Sequence, residues 1–320
     1  MRRETVFTLD SLYRGEFGID AFTFGNGDHT VNPELSLAVM GALRGNEHQQ
    51  LFTASQLINT LKRLEEAGYI KDGVEIRVIP CGNPYSLNTS TRFWAVDNTD
   101  INRMFPGYDQ GETTQRIAAG IFEALRGYGY GVHLSSSYLP GEQVPHARVM
   151  DNNWTPVSLA RLTGLQYAVV RKPEPVDVGT LGYNWSLFGT KCLTLFNYST
   201  ANIDMKATET AVMAILRLAT RLGLISYDLH GGYITQVVKE NHLVPIINER
   251  AGLLRRIAHP GDHVNAGECL ARVYDPYTGE ELEALECPVN GTVFFSHTSS
   301  LATQNSIIYR IIDDKIVVDE

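Results

Sequence analysis

The chain has 320 residues, with 27 lysines and arginines against 36 aspartates and glutamates, a formal net charge of -9 and 43% hydrophobic residues. That length suits one large domain plus a small one, the acidic balance argues against a nucleic-acid backbone as partner, and no apolar run approaches the roughly 20 residues that a membrane-spanning helix needs. The start, Met1 to Val6, is basic but lacks the apolar stretch and cleavage site of a signal peptide, so a cytoplasmic location is expected. Cys81, Cys192, Cys269 and Cys287 are far apart and form no Cys-x-x-Cys pair, so reduced thiols are expected rather than a disulfide framework or a structural zinc site.

From about 36 to 222 the hydrophobic period keeps switching between strand-like and helical, the pattern of an α/β domain with a largely parallel sheet. Ser36 to Leu43 reads as a strand ending at Arg44-Gly45. A helix follows over Gln50 to Ala67, with Leu51, Ala54, Leu57, Ile58, Leu61 and Leu64 on one face and Gly68 as its stop. Val74 to Pro80 is the next expected strand, Glu112 to Arg126 a helix, Gly131 to Ser135 and Lys191 to Phe196 strands, and Asp204 to Leu222 a long last helix. Residues 83–111 show no periodicity, and a loop of that length inside a compact domain is usually functional or disordered. Beyond Gly223 short β-like runs are broken by glycine, proline and acidic turns. The expected division is therefore an α/β domain over 1–235 and a small all-β domain over 236–320.

Open α/β sheets bind ligands outside the carboxyl ends of their strands. The segments at such ends are Leu43-Arg44-Gly45-Asn46-Glu47, the 83–111 loop, His133-Leu134-Ser135 and Phe196-Asn197. Within the loop, Arg92 and the run Asp97 to Gly107 place arginines where a planar guanidinium can make paired bonds to a carboxylate. The plainer reading has Arg92 and Arg103 bracing the loop against Asp97 and Asp100. Ser135 beside His133 does not make a nucleophile elbow, since no Gly-x-Ser-x-Gly is present. Cys81 is a nucleophile candidate by position alone. Neither a phosphate-binding Gly-x-x-x-x-Gly-Lys loop nor a dinucleotide fingerprint is found.

Taken together, these segments resemble the succinylglutamate desuccinylase/aspartoacylase family of zinc-carboxypeptidase-like hydrolases. The resemblance implies a mixed sheet with flanking helices, hydrolysis of an amide bond in a small carboxylate-bearing compound, and zinc as cofactor. In the family a His-Gly-Asp/Asn-Glu motif follows the first of these strands, and its histidine and glutamate ligate zinc. Here Gly45 and Glu47 match, and Arg44 stands where the histidine belongs. Asn83-Pro84 and Arg92 through Asp97-Asn98-Thr99-Asp100-Ile101-Asn102-Arg103-Met104-Phe105-Pro106-Gly107 are similar to the family's substrate loop. That similarity implies that Asn102 and Arg103 hold the substrate carboxylate and that Arg92 helps polarise the scissile carbonyl. Where the family has Asp-Leu-His, this chain has His133-Leu134-Ser135, and Phe196 stands in place of the catalytic glutamate.

Any metal would then fall to Glu47 and His133, which are also the catalytic candidates, while Arg44, Arg92, Asn102 and Arg103 are the substrate-binding candidates. A catalytic zinc normally has three protein ligands and an open position, so two readings arise, of which the first is preferred because the substrate loop is kept intact beside Glu47. The first is a deacylase or carboxypeptidase-like hydrolase with an altered, weak metal site. The other is a non-catalytic carboxylate-binding protein. His48 is expected as an exposed first-turn residue, and the other histidines, including His230, His259 and His263, as surface groups. The turns at 252–268 and 287–293 resemble those of a biotinyl/lipoyl-like barrel whose carrier lysine is missing. That small domain is read as structural, covering the mouth of the site or serving a homo-oligomer contact.

Overall fold

The structure, a computed structural model, describes residues 1–10, 15–229 and 231–316. The larger part runs β1 (Arg2–Asp10), β2 (Glu16–Gly25), β3 (Ser36–Ala42), α1 (His48–Glu66), β4 (Glu75–Cys81), α2 (Pro84–Leu87), α3 (Thr113–Leu125), β5 (Tyr130–Ser135), β6 (Gly141–Gln143), β7 (His146–Met150), α4 (Val157–Arg161), β8 (Tyr167–Arg171), α5 (Leu181–Leu187), β9 (Lys191–Phe196), α6 (Met205–Arg221) and β10 (Gln236–Lys239). The remainder is all strand: β11 (Val244–Ile247), β12 (Gly252–Arg256), β13 (His263–Val264), β14 (Cys269–Tyr274), β15 (Glu281–Glu286), β16 (Gly291–His297), β17 (Leu301–Ala302) and β18 (Ile307–Asp313). No helix among the described residues is long and apolar enough to cross a membrane.

Nine strands form one mixed sheet in the order β1-β2-β4-β3-β5-β9-β7-β8-β10. Its centre, β4-β3-β5-β9, is parallel. Every residue of β3 is buried, which is why it reads as an unbroken apolar run: helices cover both faces of a central parallel strand. Leu37 and Val39 point to a core shared with Leu57 and Leu61 of α1 and Ile215 and Leu218 of α6. Ala38 and Met40 point to the other face, packed with Ile117 and Ile121 of α3 and Trp185 of α5. Each of these fully buried large side chains stabilises the fold by about 1.5–3 kcal/mol relative to exposure. Helix starts are set by side chains: Asp204 accepts the Ala207 N–H at 2.7 Å to cap α6, and Glu112 with Gln115 forms a capping box for α3.

Several expectations are corrected. The antiparallel hairpin β1–β2 lies in a stretch with no assigned element. The sheet crosses the expected boundary at 235, because β10 pairs in parallel with β8 and is its last strand. The strands from 244 onward make two antiparallel sheets, β11-β18-β16-β13 and β15-β14-β12-β17, with β6 added to the first. They share one core that includes Val264, Val273, Val293 and Ile311. Of the histidines expected at the surface, His259 and His263 are exposed and His230 lies outside the described residues, but His146 and His297 are buried. Their elements, β7 and β16, lie where the sheet meets the C-terminal strands, so what reads locally as a surface position is covered by chain distant in sequence.

Gly45 is held by close approach: a Cβ there would stand 2.3 Å from the carbonyl carbon and oxygen of Ser86. Backbone cannot yield as a flexible side chain does, so Gly45→Ala is expected to cost about 1–3 kcal/mol in urea unfolding. An unchanged midpoint would show that the loop after β3 has room to move.

Candidate functional site

The loops after β3, β4 and β5 meet at the carboxyl ends of the parallel strands. Glu47 is the residue before α1, yet its side chain makes no capping bond to that helix. Its Oε2 accepts the N–H of Leu43 at 2.9 Å and of Arg44 at 3.1 Å, and its Oε1 accepts from the Arg44 guanidinium at 3.1 Å and the Ser136 hydroxyl at 2.7 Å. With no exposed surface, it is closed off by its four donors. Arg44 lies between two carboxylates: Nε and Nη2 reach Asp100 Oδ2 at 3.1 and 3.0 Å, and Nη1 reaches Glu47. Burial by itself would lower the guanidinium's pKa, but Glu47 and Asp100 outweigh it and hold it above the usual arginine value. Burial likewise pushes Asp100 up, and Arg44 and Arg92 bring it below the ordinary carboxylate range. Asp100 also accepts the Asn102 N–H at 3.0 Å, fixing the 3-10 turn Ile101–Arg103.

Arg92 completes the cluster, reaching Asp100 at 3.3 Å and the Tyr138 carbonyl at 3.1 Å. The bracing reading is therefore correct for Arg92 with Asp100. Asp97 instead accepts the Thr99 N–H at 2.9 Å. Arg103, half-buried, has no hydrogen-bond or ion-pair partner among the described residues, and burial lowers its pKa. Asn102 accepts the Leu181 N–H at 3.0 Å, which turns its amide and leaves the Nδ2 donor free of protein acceptors among the described residues.

A cavity of about 760 Å³ opens here, lined by Arg44, Asn102, Arg103, His133, Ser135 and Phe196 among others. Glu47 does not line it, and Arg92 lines instead a neighbouring cavity of about 330 Å³ that shares Arg44 and Ser136. His133 and Ser135 face the same way along β5, as their spacing of two requires. The His133 Nε2 is buried with no partner. Burial and then the nearby Arg44 charge lower its pKa to about 3, so the ring is neutral. His48 turns away, with its ring nitrogens near Ala201 O and Ser90 Oγ. Cys81 carries no thiolate character, since burial raises its pKa to about 11.

Arg148 and His146 were absent from the sequence-based candidates. Phe196 is stacked on the His146 ring at 4.8 Å and lies 4.1 Å from the Arg148 guanidinium carbon. Burial lowers the pKa of His146 to about 3 and of Arg148 to about 10. Their only sequence signal was a period-two pattern in β7, too short to assign.

A mixed sheet with helices on both faces, and a cavity at the ends of its parallel strands near the start of α1, fits the zinc-carboxypeptidase-like class of α/β fold. Residues 33–195 match the family model described as succinylglutamate desuccinylase/aspartoacylase catalytic domain. That match spans just over half the chain, and the chain belongs to this family of amide hydrolases. Among solved structures it is similar to a succinylglutamate desuccinylase from Silicibacter sp. TM1040, at 18% identity and TM-score 0.79 over 95% of this chain and 91% of that one. It is also similar to a succinylglutamate desuccinylase/aspartoacylase from Rhodobacter sphaeroides, at 19% identity and TM-score 0.76 over 94% and 90%. The product-bound ectoine utilization protein EutE from Ruegeria pomeroyi gives 18% identity and TM-score 0.77 over 93% and 89%. No curated protein sequence matches.

The family's zinc does not fit the residues present. Both Glu47 oxygens are already engaged, the Arg44 guanidinium fills the space beside them, Ser135 offers a hydroxyl where an imidazole is needed, and His133 is the one other donor of the pair expected. Among the described residues, a group of three close metal-type donors occurs only at Asp28, His29 and Glu75. It lies at the start of β4, the end remote from Glu47, and Glu75 there is already bonded to His29 and Tyr128.

Acid should destabilise the fold earlier than carboxylate titration alone. The unfolded chain binds a proton at each histidine below about pH 6.5, whereas His133 and His146 in the folded chain resist it down to about 3. Stability is then lost as pH falls through that window, by about 1.4 kcal/mol per pH unit for each of the two. Asp100, held below its ordinary range, adds a loss at the acid end. Urea unfolding between pH 7 and 4 should show the slope, and His133→Asn should remove one histidine's share. An equal slope in that variant would place the titration elsewhere.

Proposed function

We propose that the cavity binds a small carboxylate-bearing compound through Arg103 and Asn102, and that this chain has kept the family's substrate pocket while losing its metal-dependent amide hydrolysis. The observation that carries this reading is Arg44, whose charge sits between Glu47 and Asp100 where the family places a zinc ligand. A cation fixed there disfavours a second one nearby. Arg103 supports the binding half: a guanidinium with no ion-pair partner among the described residues, half-buried and lining the cavity, gains most from a carboxylate that accepts two of its N–H bonds.

A second reading, an N-acyl amino acid deacylase or carboxypeptidase-like hydrolase, draws on family membership and on the neutral, unpartnered His133 ring in the cavity. The lowered pKa of that ring argues against a general-base role for it, while leaving it in the neutral form that can ligate a metal. A general base works best with a pKa near the working pH, and His133 lies near 3.

Metal analysis of protein purified without a histidine tag should give zinc well below one per chain, and a panel of N-acyl amino acids should go unhydrolysed with zinc added. Stoichiometric zinc that is lost in Glu47→Ala would instead establish the hydrolase. Arg44→His combined with Ser135→His should raise zinc affinity, because it restores two imidazoles beside Glu47.

The carboxylate grip has a separate test. Arg103→Ala should weaken an anionic ligand by about 2–4 kcal/mol in calorimetry, and Arg103→Lys should lose most of the same energy because the paired contact goes while the charge stays. Equal affinity in wild type and Arg103→Ala would remove this arginine from the site.

A further inference from the structure

Three arginines from three strands converge on one carboxylate in another part of the same cavity. Glu240, in the 3-10 turn after β10, stands 3.4 Å from Arg148 of β7, 3.4 Å from Arg171 of β8 and 3.7 Å from Arg310 of β18. Charge-assisted N–H···O bonds are normally about 2.7–2.9 Å, so Glu240 is shared loosely among them. Arg171 has better partners in Glu174 and Asp177, both at 3.1 Å. Arg148 and Arg310 have no other carboxylate within ion-pair distance among the described residues, and the buried Arg148 Nε has no acceptor. One carboxylate offers about four lone-pair sites, far fewer than the N–H groups of three guanidiniums. All four side chains line the cavity, and Phe196 supports the Arg148 guanidinium from below at 4.1 Å.

We infer that Arg148 and Arg310 form a second oxyanion subsite, apart from Arg103, in which the Glu240 carboxylate is the resident competitor that an incoming carboxylate or phosphoryl group replaces. What sets this cluster apart is that three guanidiniums face one cavity around a single shared carboxylate, with Arg148 and Arg310 depending on it alone for an ion pair among the described residues. The inference stands on residues that the Arg103 reading does not use, and its failure is separable from the failure of that reading.

Calorimetric titration of the full chain with inorganic phosphate, and separately with malonate, tests it. Glu240→Gln should bind at least one of the two about tenfold more tightly than wild type, and the probe that gains identifies the group as phosphoryl or carboxylate. Adding Arg310→Gln to that variant should abolish the gain, whereas Arg103→Ala should leave it intact. Should Glu240→Gln not fold, Glu240→Asp, which draws the carboxylate back by one methylene, should give a smaller gain in the same direction. Folded variants that bind neither probe more tightly would overturn the inference. So would a gain that disappears with Arg103→Ala, because the anion would then sit at Arg103.

Discussion

A buried cluster of two arginines and two carboxylates organises this site. Arg44 lies between Glu47 and Asp100, and Arg92 approaches Asp100 from the rim, so two positive charges meet two negative ones in a place that water hardly reaches. Removing one member of such a cluster leaves a buried charge without its counterion, which typically costs about 3–5 kcal/mol. The cluster also joins three otherwise separate segments: the loop after β3, the long loop after β4, and the turn after β5, through the Ser136 hydroxyl and the Tyr138 carbonyl. The cavity has its shape because these loops are tied to one another there.

The same cluster decides which chemistry is within reach. A zinc ion takes lone pairs from several donors and leaves one position for water. A guanidinium does the opposite, donating N–H bonds to fixed acceptors, and once satisfied it polarises nothing. Glu47 shows the consequence, for a carboxylate of the family's metal motif is here spent on two backbone amides, a hydroxyl and an arginine. Asp100 engages Arg44 in the same way, while Arg103, three residues further along the loop, has no ion-pair partner among the described residues. The loop thus ties Arg92 into its own architecture and leaves Arg103 facing the cavity without an ion pair.

The C-terminal strands contribute to this cavity as well as adjoining it. β10 extends the large sheet, β6 pairs with β16, and Val144, Tyr167, Val238, Phe294 and Phe295 form one apolar cluster across the junction. Arg310 and Glu240 reach the cavity from that side. A ligand held there would touch both parts of the chain, so binding and the docking of the two parts are physically linked.

How much of this was legible in the sequence differs from element to element. The period of the apolar residues was enough for β3, α1, β4, α3, β5, β9 and α6, each within two residues, because local propensity and one-sided or two-sided burial leave their mark in consecutive positions. The motif around Gly45-Glu47 and the run from Asp97 to Gly107 were sufficient for the family, and the substitution of arginine and serine for the expected histidines could be read directly. The partner of Arg44 could not: Asp100 is 56 positions away in the chain, and no spacing rule connects a loop after one strand with a loop after the next. Arg103 was free and Arg92 engaged for the same reason, since both are arginines on one loop and only its folded path separates them. Arg148, His146 and Glu240 lay outside the legible pattern because their meaning comes from elements that meet only in the fold, Arg148 and Glu240 being 92 positions apart in the chain. Sequence determines which groups are available, and the tertiary fold decides which charges are left without a partner.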